Sequence, residues 1–262
     1  MPKVDLDGCE IHYEVEGEGR PVLFLAGMGL DLSVWYPVTR LLEDRFRCVL
    51  MDNRGAGFSE ATPGPYTIPL MASDSAALLE GLGMENAVVA GHSMGGCVAQ
   101  QLALDHPELV GGLVLIGTGP SGRSDDLGST EEARAALSRT AGPPEEIVRG
   151  NMTVSVSPKY VEAHPHEFER LVADRLTKRP RGRGVAGQRA ACAIFDVANE
   201  LGRISCPTLV IHGADDQIAA VDRGERLAAA IPDAKLVVLE GVGHMPQWEA
   251  PERLAEAIIS RF

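Results

Sequence analysis

The sequence predicts an α/β protein, a doubly wound and mostly parallel sheet interrupted by one helical insertion. Three observations carry that prediction. Short apolar, β-branched runs alternate with longer stretches of helical periodicity. Several of those runs are apolar throughout, the pattern of strands covered on both faces. The alternation then stops once, between 119 and 207, where no strand pattern occurs.

The expected strands are 10–16, 22–26, 47–51, 87–90, 113–116, 208–212 and 235–239. Between them, helices are expected at 72–82, 97–105, 222–230 and 252–259. Strand–helix alternation at this spacing supplies the crossovers that parallel strands require. Ligands of such sheets gather at the carboxyl ends of the strands, so the turns after strands are where chemistry is sought. The stretch from 119 to 207 is too long for an ordinary connection. It carries helical segments at 130–140, 144–150, 159–177 and 185–201, separated by Gly and Pro. The expected organisation is a core of 1–119 and 207–262 with a helical cap of 120–206.

Composition narrows the function classes. The 262 residues hold 24 Lys and Arg against 37 Asp and Glu, a formal net charge of −13. That excess opposes nucleic-acid binding, which Lys and Arg drive by displacing counterions, and opposes an anionic membrane surface too. A chain of this length buries roughly three quarters of its unfolded surface and needs no disulfide or metal staple. Cys9, Cys48, Cys97, Cys192 and Cys206 are odd in number, scattered and without a C-x-x-C, as expected of reduced thiols. The acidic start lacks a signal peptide's apolar stretch, and the longest apolar segment, near 109–116, is too short to span a bilayer. The expectation is a soluble, cytoplasmic protein acting on a small molecule.

The strongest chemical signal is Gly91-His92-Ser93-Met94-Gly95, a G-x-S-x-G between an expected strand and an expected helix. A serine there occupies a strained turn, and the helix N-terminus behind it favours developing negative charge. A nucleophilic serine needs a base, and the base an orienting acid. His244 follows the last strand in Gly241-Val242-Gly243-His244-Met245, placed to swing over Ser93. After the strand 208–212, Gly213-Ala214-Asp215-Asp216 offers two carboxylates, of which only one can face His244. The turn before the insertion, Ile116-Gly117-Thr118-Gly119, has none. Asp52 precedes the serine and reads as a turn or helix cap.

An oxyanion at an acyl carbon needs two convergent donors. The Met94 backbone N–H is one; Met28, in Ala26-Gly27-Met28-Gly29 after the strand 22–26, supplies the other. Met28, Met94, Met245 and Trp35 would line an apolar, adaptable substrate pocket, although Trp35 equally fits core packing. His164 and His166 read as exposed histidines of the insertion, with no third ligand placed nearby. Gly27-x-Gly29 and Gly81-x-Gly83 lack the third glycine of a dinucleotide motif, and no phosphate-binding G-x-x-x-x-G-K-[ST] exists.

On these motifs the chain resembles the α/β-hydrolases, the family of lipases, esterases, lactonases and C–C bond hydrolases. Also matching are Asp52-Asn53-Arg54-Gly55-Ala56-Gly57-Phe58-Ser59, Gly213-x-x-Asp216, and Gly243-His244 followed by Glu249-x-Pro251-Glu252. The Gly-x-x-Asp spacing selects Asp216 as the acid. Within the family the likeness is to small serine esterases and 3-oxoadipate enol-lactonase-like hydrolases. The resemblance implies hydrolysis of an ester or lactone by Ser93, Asp216 and His244, without metal or organic cofactor. One departure stands out: Ala26 occupies a position where the family commonly has His.

Alternatives of the same machinery are C–C bond cleavage and cofactor-independent perhydrolysis; a different class is a ligand-binding receptor on a hydrolase fold. The acidity lies outside 121–206, which is nearly neutral and holds the basic run Lys178-Arg179-Pro180-Arg181-Gly182-Arg183. That run is read either as a solvated loop or as a cationic rim favouring carboxylate-bearing substrates.

Overall fold

A computed structural model of the chain describes residues 2–6, 8–178 and 182–262. Eight strands form one sheet: β1 Lys3–Leu6, β2 Cys9–Glu16, β3 Arg20–Leu25, β4 Phe46–Met51, β5 Ala87–His92, β6 Val110–Ile116, β7 Thr208–Gly213 and β8 Ala234–Leu239. Their order across the sheet is β1-β2-β4-β3-β5-β6-β7-β8. The pairs from β4 to β8 are parallel, while β1 and β2 form an antiparallel edge. β1 is not among the expected strands. Its residues Lys-Val-Asp-Leu are exposed or half-exposed, and the hairpin pairing of Val4 with Ile11 holds them.

The apolar strands are covered on both faces because successive side chains point to opposite sides. In β3, Leu23 and Leu25 join Val89, Leu113 and Met71 in one cluster, while Val22 and Phe24 join Val88, Val114 and Ile258 in the other. Each fully buried Leu or Phe contributes roughly 1.5–3 kcal/mol over an exposed one. Helices α2 (Ile68–Gly81), α3 (Met94–Asp105) and α9 (Asp222–Ala230) pack on the first face, and α1 (Tyr36–Thr39), α10 (Pro246–Glu249) and α11 (Pro251–Arg261) on the second. Helix α2 starts earlier than its periodicity indicates, because Thr67 Oγ1 caps it by accepting the Leu70 N–H at 3.1 Å.

The long insertion between β6 and β7 carries α4 (Glu131–Ser138), α5 (Pro144–Ser155), α6 (Pro158–Ala163), α7 (Pro165–Thr177) and α8 (Gly182–Ala193). The expected helix at 159–177 is two helices, since Pro165 cannot continue α6 and His164 leaves helical geometry before it. The last expected helix ends at Ala193, beyond which Asp196 bridges to Ser121 at the root of the insertion. Met152, Val156, Phe168 and Val172 form the insertion's own apolar cluster, completed by Met245 from the core. Of the basic run, Arg179, Pro180 and Arg181 lie outside the described residues, and Lys178 bonds to Ser33 Oγ at 2.8 Å. Among the described residues no helix is long and apolar enough to cross a membrane.

Candidate active site

Ser93 stands alone between β5 and α3 with φ 54° and ψ −118°, a conformation costing about 1–3 kcal/mol in a residue with a Cβ. The flanking glycines make the turn possible. A Cβ on Gly91 would overlap the Gly95 carbonyl, and one on Gly95 would overlap the Leu25 carbonyl. The Ser93 N–H donates to Ile116 O at 2.9 Å, pinning the elbow to β6. The N–H of Met94 opens α3, where helix geometry leaves donors unpaired. Neither it nor the Met28 N–H has a hydrogen-bond partner among the described residues.

Asp216 follows β7, and its carboxylate is fully buried. Oδ1 accepts the N–H groups of Ile218 and Ala219, both at 2.9 Å. On the other oxygen, His244 Nδ1 lies 2.7 Å from Oδ2. A carboxylate can only accept, so the His244 proton sits on Nδ1 and Nε2 is left with its lone pair. Burial opposes ionisation of Asp216, but His244 and His212 outweigh it and hold the group well below the usual carboxylate range. Asp215 is exposed and its N–H is spent on Val242 O. In this conformation no hydrogen bond joins Ser93 Oγ to the His244 ring; such contacts commonly tighten only with substrate bound.

The loop bearing His244 is held by groups that motif reading did not single out for a role. Glu249 accepts the Gly243 N–H at 2.9 Å and the Met245 N–H at 3.3 Å, and also the Ser157 N–H of the insertion at 2.8 Å. The His244 N–H donates to Ser155 O at 3.0 Å, so insertion and loop share one network. His92, inside the pentapeptide itself, donates from Nε2 to His244 O at 2.7 Å. His212, at the end of β7, donates to Ala219 O at 2.8 Å and lies 3.4 Å from Asp216 Oδ2. Glu249 and His212 serve mainly their own loops, whereas His92 and the Ser155–Ser157 segment reach the His244 loop from distant parts of the chain.

Trp35 has no exposed surface: it packs on Phe24 and stands nearly perpendicular to the His92 ring. It therefore backs the elbow from inside the core instead of offering a wall to a ligand, as expected of an indole enclosed by Phe24 and Val38. Met28 is partly buried and Met94 buried against one core cluster, whereas Met245 is buried in the insertion's cluster. Asp52 is a buried acceptor for Leu32 N–H at 2.7 Å and Phe58 N–H at 2.9 Å, so it serves both a short helix start and a turn. His164 and His166 are exposed.

Burial, reinforced by neighbouring His244, pushes the His92 pKa down to about 3 from an ordinary 6.5. The native protein therefore leaves His92 neutral where the unfolded chain would protonate it. This stability is present above pH 6.5 and is lost as pH falls toward about 3. His92→Gln is expected to flatten the acid limb of stability by about one proton, or about 1.4 kcal/mol per pH unit. Urea unfolding at a series of pH values between about 7 and about 4 measures the slope; an unchanged slope contradicts the assignment.

An eight-stranded sheet with a strained serine elbow, and a histidine–aspartate pair at the carboxyl ends of the neighbouring strands, defines a hydrolase class. The chain belongs to the alpha/beta hydrolase fold family, whose model matches residues 20–251. It is 32% identical over 258 residues to 3-oxoadipate enol-lactonase 2 of Acinetobacter baylyi, covering 96% of this chain and 94% of that protein. It is 31% identical to 2-hydroxy-6-oxo-6-phenylhexa-2,4-dienoate hydrolase of Comamonas testosteroni, over 94% of this chain and 88% of the other. Among solved structures, a thermophilic esterase from Thermogutta terrifontis superposes with a TM-score of 0.86 at 32% identity, covering 99% and 97% of the two chains.

Proposed function

We propose that the chain hydrolyses a small carboxylic ester or lactone through an acyl-enzyme on Ser93. The observation that carries this reading is the 2.7 Å His244–Asp216 hydrogen bond set beside the strained Ser93 turn. Ser93 Oγ attacks the carbonyl carbon while His244 Nε2 takes its proton, and Asp216 keeps the imidazole in the required tautomer. The Met28 and Met94 N–H groups, unpaired among the described residues, meet the oxyanion of the tetrahedral intermediate. The intermediate collapses as His244 returns the proton to the leaving alkoxide oxygen. Water, deprotonated by the same nitrogen, then frees the acid and restores Ser93. The insertion acts as a cap, its Met152, Phe168 and Val172 packed with Met245 next to the base.

Likeness to a lactonase and an esterase supports this substrate class. Likeness to the Comamonas hydrolase favours a second reading, C–C bond cleavage of a ring-fission product by the same residues. The test is turnover of aryl esters of increasing acyl length, simple lactones and a dienoate ring-fission product, with fluorophosphonate labelling. Ester or lactone turnover, with labelling lost in Ser93→Ala and kcat lower by about 10,000-fold or more, is the expected result. Turnover surviving in Ser93→Ala overturns the mechanism, and turnover of the dienoate alone overturns the substrate class.

A further inference from the structure

The loop after β3 must present the Met28 N–H, yet at Ala26 it lacks the side chain that the family resemblance places there. The loop closes as a turn, with the Leu30 N–H donating to Gly27 O at 3.1 Å and Gly29 in the left-handed region at φ 65°. Other side chains grip it. From the core, Asn53 Nδ2 donates to Ala26 O at 3.0 Å. The remaining grips come from the insertion. The Gly29 N–H donates to Gln188 Oε1 of α8 at 2.7 Å, and Arg175 Nη2 of α7 donates to Gly29 O. Gln188 Nε2 in turn donates to Arg54 O at 2.9 Å, so both ends of this wholly buried amide are paired.

The approach of α8 that brings Gln188 there depends on glycine. A Cβ on Gly184 would overlap the Gly55 carbonyl, and one on Gly187 would stand 2.6 Å from the Tyr66 ring. A buried primary amide is costly unless its acceptor and its donor are both used. Here the acceptor is used on the donor loop itself. Gly29 is thus held on its N–H side and on its carbonyl side by two helices of the insertion, next to the peptide whose N–H must face the oxyanion.

We propose that Gln188, assisted by Arg175, is a positioning residue for the hydrolytic reaction: from the insertion it fixes the Gly29 peptide and thereby aims the Met28 N–H. The donor geometry is then tied to the seating of α8 on the core as well as to the loop's own Leu30–Gly27 turn. This inference rests on the acyl-transfer reading above. A donor displaced by a fraction of an ångström loses most where charge develops, so the loss belongs to the transition state and not to substrate binding.

The test compares wild type with Gln188→Leu on a turned-over aryl ester, alongside two ketone inhibitors of the same acyl chain. A trifluoromethyl ketone forms a tetrahedral oxyanion on serine; the matching methyl ketone reports ground-state binding. Expected is a fall in kcat of about 10- to 100-fold with KM within about twofold. Trifluoromethyl ketone affinity should fall by the same factor and methyl ketone affinity should hold. Should Gln188→Leu fail to fold, Arg175→Met releases the other side of Gly29 and is expected to show the same pattern, more weakly. Unchanged kcat, or equal losses of both ketones, overturns the proposal. Wild type inert to fluorophosphonate overturns the acyl-transfer reading with it; a labelled wild type with unaffected variants overturns this inference alone.

Discussion

Asp216→Asn is expected to lower kcat by about 10,000-fold with little change in KM, a magnitude typical of removing this acid from a serine–histidine relay. The hydrogen bonds explain why an isosteric change is so damaging. Oδ1 of Asp216 accepts two backbone N–H groups, from Ile218 and Ala219. An asparagine must place its carbonyl oxygen there, which turns its NH2 toward His244 Nδ1. That nitrogen then becomes the acceptor, the proton moves to Nε2, and the base has no lone pair left for Ser93. The same NH2 also faces His212 Nε2–H, a second donor. Asp215→Asn is the control, since Asp215 is exposed, and its kcat should stay within about twofold of wild type. Steady-state kinetics of the two variants settles the choice between adjacent carboxylates, and equal losses would refute the assignment of Asp216.

Asp52→Ala is expected to destabilise the fold by about 3–5 kcal/mol, measured as the shift in urea unfolding free energy. Asp52 is fully buried and receives Leu32 N–H, Phe58 N–H and, at 2.8 Å, His12 Nδ1. Alanine removes every acceptor and leaves three donors without partners, of which those of Leu32 and His12 are buried and cost about 1–3 kcal/mol each before relaxation. Gly57 adds to the constraint, because a Cβ there would overlap the Asp52 carboxylate. The residue touches none of the proposed catalytic groups, so the variant's folded fraction should keep most of its kcat. A loss below about 1 kcal/mol would show that water replaces the carboxylate and that the network carries little.

Much of the molecule was legible because the relevant signals are local. Fully apolar runs at 22–26, 87–90 and 208–212 read as strands, since a strand covered on both faces cannot alternate. Ser93 was legible because its strained turn forces glycines at fixed spacing, and His244 because it follows a strand at a loop. β1 was missed for the converse reason: a half-exposed hairpin edge has no apolar run to betray it. The break at His164-Pro165 was written in the sequence as proline, yet periodicity across it looked continuous.

What the sequence by itself determined, then, is what short-range chemistry enforces: the fold class and the glycine-flanked serine elbow. The tertiary structure set Asp216, the carboxylate that the family resemblance selects, against His244, and it decided where Trp35 lies and what grips the loops. His92 meets the His244 carbonyl across 152 residues, and Gln188 meets Gly29 across 159. No periodicity or motif encodes such pairs. They exist because burial leaves each polar group needing a partner, and only the packed chain determines which group comes within reach.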